Sequence, residues 1–271
     1  SYPIGDVLLQ AEKLAAAGVK ELLVVSQDTG AYGVDKKYVT GFYNGRPVKT
    51  KFIDLCKELA KLGIWVRLHY VYPYPHIDEV IPLMAEGKLL PYLDIPFQHA
   101  SPKVLKAMKR PGNVDGLLER INNWRNICPD LAIRSTFIVG FPGETEEDFN
   151  ELANFIAAAK LDAIGVFGYS DEDNTEALDL AEKVDEDTIK ERVESLSRLA
   201  DEMVSARAQA RIGETVRVLI EDAELQEGRA AHQGPEVDGT TSFIDTNFAV
   251  GEYVDAVVID SMGADLVVRP L

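Results

Sequence analysis

Apolar runs and amphipathic stretches alternate along the first three quarters of the chain. Short runs in which nearly every residue is apolar predict buried strands at 19–25, 64–71, 92–95, 132–139 and 163–169. Between them, stretches with apolar side chains on one face predict helices at 7–18, 52–62, 77–86, 102–108, 117–127, 146–159 and 186–210, and a long loop is expected at 30–49. Such alternation favours right-handed crossovers and a parallel αβ sheet, either open or curled into a partial barrel.

The pattern changes after Gly213. Short apolar strands separated by glycine and acidic turns are predicted at 215–220, 240–244, 253–259 and 266–269. Together they predict a small antiparallel β-barrel, of the kind that is often appended as a binding module. We therefore expect a large αβ domain at residues 1–211 and a barrel domain at residues 212–271.

Charge narrows the choice of partners. The 271 residues carry a formal net charge of −17, which argues against a broad phosphate-binding surface. In residues 212–271, three basic residues face twelve acidic ones, a local net charge of −9. These acidic groups either keep the protein soluble or attract a basic protein partner, and they disfavour direct binding of tRNA.

Composition also bears on location and on metal binding. No apolar run could span a bilayer, and no signal peptide is expected, so we expect no membrane partner and a cytoplasmic location. Cys56 and Cys128 are the two cysteines of the chain, and their apolar neighbours predict core thiols. Neither the cysteines nor the histidines have metal-site spacing, so no metal ligands are expected in this chain.

The turn after the predicted strand at 132–139 carries the strongest local signal. Gly140 and Gly143 allow a tight turn and a close approach of the backbone to a ligand. Thr145 followed by Asp148 is a capping-box pattern, which predicts the start of a helix with N–H groups facing outward. This arrangement suits a nucleotide-like cofactor, although an ordinary turn between a strand and a helix remains the alternative.

Other polar residues are predicted at strand ends, where ligands collect in parallel αβ folds. Gln27 and Asp28 can bind an ammonium group, Arg134 a carboxylate, and the glycine-edged backbone together with Tyr169 an adenine ring. The candidate cofactor-binding residues are Ser26, Gln27, Asp28, Gln98, Arg134, Gly140, Gly143, Glu144 and Tyr169.

Several of these side chains also have a purely structural interpretation. Arg134 can lie at the rim of the sheet with a protein partner, since a basic residue in a buried strand needs one. His69 and His99 suit hydrogen-bonded core positions as well as a site. Asp94 and Glu144 do not form a convincing acid–base pair, so no catalytic residue is assigned.

Five segments together resemble one enzyme family. They are Val-Ser-Gln-Asp-Thr at 25–29, Tyr-Val-Tyr-Pro-Tyr-Pro at 70–75, Pro-Tyr-Leu-Asp-Ile-Pro-Phe-Gln-His-Ala-Ser-Pro at 91–102, Met-Lys-Arg-Pro at 108–111 and Gly-Phe-Pro-Gly-Glu-Thr at 140–145. In this order they resemble the radical S-adenosylmethionine (SAM) methylthiotransferases. The Ser-Gln-Asp-Thr and Gln-His-Ala-Ser-Pro segments resemble the branch that acts on ribosomal protein S-twelve. The terminal barrel resembles the TRAM module of that family.

The resemblance implies a function. Members cleave SAM reductively to a 5′-deoxyadenosyl radical, which abstracts hydrogen from an unactivated carbon before a methylthio group is transferred to it. In the branch named above, that carbon is the β-carbon of an aspartate of ribosomal protein S-twelve. The implied partners are this basic protein, bound through the acidic barrel, and an external electron donor.

The chain also departs from the family pattern. The resemblance implies a [4Fe–4S] cluster held by Cys-x3-Cys-x2-Cys just upstream of this sequence, and an upstream domain with a second cluster. Neither set of cysteines is present. We therefore expect a fragment that is inactive alone. A tRNA-modifying methylthiotransferase, a non-catalytic binding fragment and, more remotely, a cluster-free barrel enzyme are the alternatives.

Overall fold

The computed structural model describes residues 1–110 and 116–271. Its contacts divide the chain into two compact units, one of Ser1–Ile95 with Asn123–Ala132, the other of Pro96–Asn122 with Ile133–Leu271. The fourth resembling segment ends at Pro111, which lies outside the described residues. The division of the chain at residue 211 stays a prediction.

The first unit combines parallel strands with helices. Its elements are α1 (Ile4–Ala16), β1 (Glu21–Val24), β2 (Thr40–Tyr43), β3 (Arg46–Lys49), α2 (Phe52–Leu59), β4 (Trp65–Leu68), α3 (Ile81–Ala85) and β5 (Tyr92–Asp94). Strands β1, β4 and β5 are parallel and hydrogen-bonded in that order. The apolar face predicted for α2 is buried, with Phe52, Leu55 and Leu59 each at most 3% exposed.

A buried charge also joins β1 to β4. Arg67 is fully buried in β4 and donates a hydrogen bond from Nε to Oε1 of Glu21 at 2.7 Å. Its guanidinium lies 4.5 Å from the ring centroid of Tyr92. Both contacts keep the cation partnered, as a buried charge requires.

The prediction of a loop over 30–49 is wrong for its second half. Strands β2 and β3 form an antiparallel hairpin in which Tyr43 lies opposite Arg46. Asn44 and Gly45 connect them with φ angles of 49° and 73°. An Asn-Gly pair with two positive φ angles is the favoured two-residue hairpin turn. The signal was therefore present in the sequence, but the flanking strands are half-exposed and show no apolar run.

The helix predicted at 77–86 is interrupted. Pro75–Val80 forms a 3-10 helix, and α3 begins only at Ile81. Pro82 has no N–H to donate to the carbonyl four residues earlier, so an uninterrupted α-helix cannot pass through it.

The second unit begins with the continuation of the αβ pattern. Its elements before the barrel are α4 (Pro102–Ala107), α5 (Leu117–Ile127), which crosses into the first unit, β6 (Ala132–Val139), α6 (Glu146–Ala159), β7 (Ala163–Gly168) and α7 (Glu186–Gln209). Strands β6 and β7 are parallel, with Arg134 opposite Ala163 and Val139 opposite Gly168. Ser101 caps α4 by accepting a hydrogen bond from the N–H of Val104, as predicted.

A closed barrel follows α7. Its strands are β8 (Thr215–Asp222), β9 (Glu227–Ala230), β10 (Thr241–Phe243), β11 (Tyr253–Met262) and β12 (Asp265–Pro270), arranged in the order β10–β12–β11–β8–β9. Alternate side chains such as Val218, Ala256 and Val268 fill its interior. The barrel prediction is confirmed with two differences: β9 was not predicted, and β10 pairs with β12 in parallel. No helix among the described residues is long and apolar enough to cross a membrane.

Candidate cofactor-binding site

The second unit forms a tight turn at the carboxyl end of β6. Gly140 and Gly143 have positive φ angles of 78° and 82°. A Cβ on Gly140 would lie 2.4 Å from Cγ1 of Ile189, so backbone conformation and space both require glycine there. We call residues 140–145 the glycine turn.

Helix α6 begins with the predicted capping box. The hydroxyl of Thr145 accepts a hydrogen bond from the N–H of Asp148 at 3.3 Å. In return, the Asp148 carboxylate accepts one from the N–H of Thr145 at 2.9 Å. These reciprocal bonds satisfy two N–H groups at the helix start and fix the end of the glycine turn.

The carboxylate of Glu144 is the centre of a buried charge network. Its Oε2 accepts a hydrogen bond from the N–H of Gly140 at 2.9 Å, and its Oε1 accepts one from Nη1 of Arg192 at 2.8 Å. The Glu144 side chain has no exposed surface, and Arg192, in α7, is also buried. The glycine turn is thereby tied to α7 by an ion pair shielded from solvent.

His99 is a further member of this network. Its Nδ1 accepts a hydrogen bond from the N–H of Ser101 at 2.9 Å. The proton of the neutral ring therefore lies on Nε2, which is 3.3 Å from Oε2 of Glu144. The angle at this contact falls short of hydrogen-bond geometry, so we describe it as an electrostatic contact between buried groups.

Asp148 connects α4 to the glycine turn. Ser101 donates from Oγ to its Oδ1 at 2.6 Å, and Lys103 donates from Nζ to its Oδ2 at 3.2 Å and to the carbonyl oxygen of Gly143 at 2.8 Å. Burial alone would raise the pKa of Asp148, but the hydrogen bonds from Ser101, Thr145 and Lys103 outweigh it and hold the pKa well below its ordinary value. Asp148 is therefore an ionised anchor for both helices.

Tyr169 lies beside the glycine turn. Its ring packs edge-on against Phe141 with a centroid distance of 5.2 Å, and its N–H donates to the carbonyl oxygen of Val139 at 2.8 Å. The hydroxyl donates to Asp171 at 2.7 Å, and Nζ of Lys183 lies 5.3 Å from the ring centroid. The structure thus brings the predicted aromatic side chain next to the predicted glycines.

Gln98 also reaches the end of β6. Its N–H donates to the carbonyl oxygen of Thr136 at 2.9 Å, and its own carbonyl accepts from the N–H of Ile138 at 2.8 Å. Gln98 adopts a φ of 69° and is 7% exposed. Its backbone is therefore part of the sheet edge that carries the glycine turn.

Arg134 lies elsewhere, contrary to its predicted place at a strand end near the glycines. It is the third residue of β6, so about 16 Å of strand separates it from Val139. Its Nη1 lies 3.6 Å from Oδ1 of Asp238, in the loop between β9 and β10. The structure therefore supports the alternative interpretation, in which this arginine has a protein carboxylate beside it; binding of a cofactor carboxylate stays a prediction.

The first unit holds the remaining candidates. Ser26, Gln27 and Asp28 follow β1 and line a cavity of about 580 Å³ whose walls are mainly apolar. The Asp28 carboxylate accepts hydrogen bonds from the hydroxyl of Tyr74 at 2.7 Å and from the N–H of Ala31 at 3.1 Å. The side chains of Ser26 and Gln27 are exposed, which leaves them accessible to a ligand.

His69 is held in one orientation at the end of β4. Its Nδ1 lies 3.1 Å from Oδ2 of Asp94, and that oxygen also accepts a hydrogen bond from the N–H of Tyr70 at 3.3 Å. Both His69 and Asp94 are buried. This pair links β4 to β5, which agrees with the core interpretation of His69.

The two cysteines do not fit an iron–sulfur cluster. Both are buried, burial raises the pKa of the Cys56 thiol, and burial together with Asp130 raises the pKa of Cys128 to about 11. A [4Fe–4S] cluster needs several thiolates close together. Among residues 1–110 and 116–271, no group of three or more potential metal ligands is present, so no reaction step can be assigned to a cluster on this chain.

Two known sequence families match this chain. Residues 1–156 match the Radical SAM superfamily and residues 212–270 match the TRAM domain. Because the first match covers more than half of the chain, the protein belongs to the radical SAM superfamily. Membership implies SAM and [4Fe–4S] clusters as cofactors, and it confirms the predicted combination of a radical SAM parallel sheet with a TRAM-like barrel.

Curated relatives specify the resemblance further. The ribosomal protein uS12 methylthiotransferase RimO of Aromatoleum aromaticum is 55% identical over 275 residues, covering 100% of this chain and 62% of that protein. The protein of the same name from Klebsiella pneumoniae is 59% identical over 241 residues, covering 88% of this chain and 55% of its own length. The chain thus spans about three fifths of these relatives, and the resemblance to the S-twelve branch is confirmed.

A solved structure supports the fold alone. Coproporphyrinogen III oxidase (HemN) from Escherichia coli, a radical SAM enzyme, aligns with a TM-score of 0.50 at 15% identity, covering 77% of this chain and 47% of that one. This likeness shows a shared architecture and carries no information on substrate.

Sequence reasoning missed the residues that hold the glycine turn in place. Arg192 lies in a long helix whose exposed face is charged, so nothing local distinguishes it from its solvated neighbours. The hydrogen bonds from Ser101 and Lys103 to Asp148 were not predicted either, although the capping motifs of both helices were. Gln98, Gly140, Gly143, Glu144 and Tyr169 are brought together in the second unit; their contact with a cofactor stays a prediction.

Proposed function

We propose that the chain is the SAM-binding and substrate-recognising part of a methylthiotransferase that modifies the β-carbon of an aspartate in ribosomal protein S-twelve. The observation that carries this proposal is the 55% identity, along the whole chain, to a protein named for that activity. A cytoplasmic location and an external electron donor follow from the same proposal.

The residues present fit SAM in chemical type. In the first unit, exposed Gln27 and partly buried Asp28 are acceptors of the type that an ammonium group needs. In the second unit, half-buried Gly143 has no Cβ and the ring of Tyr169 lies beside the same turn, which suits an adenine ring. When bound, SAM supplies the radical chemistry, whereas this chain binds and orients it and excludes water.

Glu144 has a supporting role in this proposal. Both of its carboxylate oxygens are bound within the protein, by Gly140 and Arg192. In this proposal Glu144 acts by positioning the backbone of the glycine turn for the cofactor.

The barrel is proposed to attract the basic protein substrate. Arg217 forms two hydrogen bonds of 2.8 Å with Asp255, and the buried Arg229 is bound by Glu221 at 2.7 Å. Since two of its three arginines are neutralised by carboxylates, the outward field of the barrel is negative. Complementary charge would chiefly accelerate encounter with a basic partner and would weaken with salt.

The activity test is a chimera in which this chain replaces the corresponding segment of the Klebsiella relative, expressed in a strain that lacks its own enzyme. Mass spectrometry of ribosomal protein uS12 should show one added methylthio group. A Gly140→Asp chimera should abolish it, and Arg198→Met, an exposed change in α7, should not. Modification of tRNA without modification of uS12 would establish the tRNA-directed alternative.

The barrel test reverses exposed carboxylates. Glu224→Lys, Asp245→Lys and Asp260→Lys together avoid Glu221, whose loss would strand the buried Arg229. Association of the chain with purified uS12 should slow while dissociation changes little. An unchanged association rate would mean that the acidic surface serves solubility only.

A further inference from the structure

The hairpin of β2 and β3 belongs to a positively charged segment of a protein whose net charge is negative. Residues 34–51 contain five basic residues and a single carboxylate, Asp35, giving a local net charge of +4 in a chain of −17. The segment comprises a tight loop followed by β2 and β3. A compact basic element on an acidic protein suggests a specific anionic partner.

One face of the hairpin is turned outward. Phe42 lies opposite Pro47, and Thr40 lies opposite Lys49. All four are exposed, and the ring of Phe42 is 70% exposed. The opposite face carries Val48, which is buried. The outer face therefore places a large exposed aromatic ring beside a proline and a lysine.

The loop before β2 carries further exposed side chains. Lys36, Lys37 and Tyr38 are exposed, and the last two adopt positive φ angles of 50° and 55°. The N–H of Tyr38 donates to the carbonyl oxygen of Gly33 at 3.0 Å. Gly33 packs so closely against Thr50 that a Cβ there would lie 1.8 Å from its carbonyl oxygen. The loop is thus fixed against the hairpin.

We call the exposed side chains of Lys36, Lys37, Tyr38, Phe42 and Lys49 the hairpin surface. Its three lysines form no ion pair within 4.0 Å with any described residue. Neither internal salt bridges nor burial in the core accounts for them. The ring of Phe42 is likewise left outside the core, at 70% exposure.

We propose that the hairpin surface binds single-stranded RNA. Lysines that track phosphates, interleaved with aromatic rings that stack on bases, are the two components of sequence-tolerant single-strand recognition. Protein–protein interfaces are enriched in aromatic residues but depleted in lysine, whereas single-strand binding uses both. The combination of lysines and aromatic rings therefore favours RNA over an acidic protein.

This inference is compatible with the proposed function but does not depend on it. A substrate that belongs to the ribosome is surrounded by RNA, and the hairpin surface would contact RNA while the acidic barrel contacts protein. SAM binding and uS12 modification are measured separately, so failure of either proposal leaves the other standing.

The experiment measures binding of the 271-residue chain to a fluorescent, uridine-rich single-stranded RNA of about 12 nucleotides, a typical site size for such surfaces. Fluorescence anisotropy is recorded between about 50 and 200 mM salt. Phe42→Ala should weaken binding about fivefold or more, as expected for the loss of one stacked base. The triple variant Lys36→Gln, Lys37→Gln, Lys49→Gln should also flatten the slope of log K against log salt by about 2, from roughly 0.7 per phosphate.

A matched triple, Lys13→Gln, Lys106→Gln and Lys190→Gln, removes three exposed lysines elsewhere and should leave affinity and slope nearly unchanged. Polyglutamate serves as the protein-like anion and should bind much more weakly than RNA. The proposal is overturned if the unmodified chain does not bind RNA, or if both triples act equally. It is also overturned if Phe42→Ala has no effect while polyglutamate competes as well as RNA, which would indicate an acidic protein partner.

Discussion

Replacing Arg192 by methionine tests the buried charge network directly. Methionine keeps an unbranched apolar stem in α7 but removes the guanidinium that donates to Glu144 at 2.8 Å. The change leaves the Glu144 carboxylate, whose side chain has no exposed surface, with the N–H of Gly140 as its hydrogen-bond donor and His99 nearby. A carboxylate in that position has lost its counter-ion without gaining water.

The expected loss of stability follows from the burial of the two side chains. Both side chains are at most 9% exposed, so solvent does not weaken this ion pair as it weakens ion pairs at the surface. Breaking one side of a buried pair costs about 3–5 kcal/mol, because an uncompensated charge remains. Glu144→Gln should cost less, since Arg192 retains Glu146 at 3.3 Å. The double variant should lose less than the sum of the two, because neither charge is left alone.

Urea unfolding monitored by circular dichroism provides the free energies of all four proteins. Arg198→Met, an exposed arginine of the same helix, is the matched control and should change stability by less than about 0.5 kcal/mol. Calorimetric titration with SAM should show weakened binding for Arg192→Met if the glycine turn loses its support. A loss of under about 1 kcal/mol, or strictly additive variants, would refute the idea that this network holds the turn.

Three further predictions address the same region and the thiols. Gly140→Ala should lower stability by about 2 kcal/mol or more, because of the positive φ and the clash with Ile189. Gly63→Ala should lower it less, because Gly63 has a φ of 72° but open space around it, so only backbone strain is added. Thermal unfolding compares the two variants. Because the pKa of Asp148 is depressed, its contribution to stability is present above its ordinary value of 3.8 and is lost as pH falls further; urea titrations should show a steeper acid loss in the natural chain than in Asp148→Asn. Neither cysteine should react with a thiol reagent until the protein unfolds, and iron–sulfur reconstitution should give no stoichiometric [4Fe–4S] absorbance; a rapid reaction or a full cluster would show that the thiols are accessible.

The sequence by itself determined most elements of this protein and the identity of its family. Strand β6, the glycine turn and helix α6 were predicted to the residue, because apolar runs, glycines and capping residues act on neighbours a few positions away. The ordered motifs were sufficient to indicate a radical SAM methylthiotransferase. Local signals also predicted the start of the barrel, because the apolar runs become short and closely spaced after Gly213.

Only the tertiary structure decided which charges meet. In the sequence Arg192 looks like a solvated residue and Glu144 like a cofactor ligand, yet folding buries both and makes each the partner of the other. Arg134 seemed suited to a cofactor carboxylate, but the barrel places Asp238 beside it. Such pairings join distant positions, and they depend on strand length and helix placement rather than on any local pattern. The hairpin surface could not be predicted from the sequence for the same reason, because only the folded structure shows which side chains of the segment face outward.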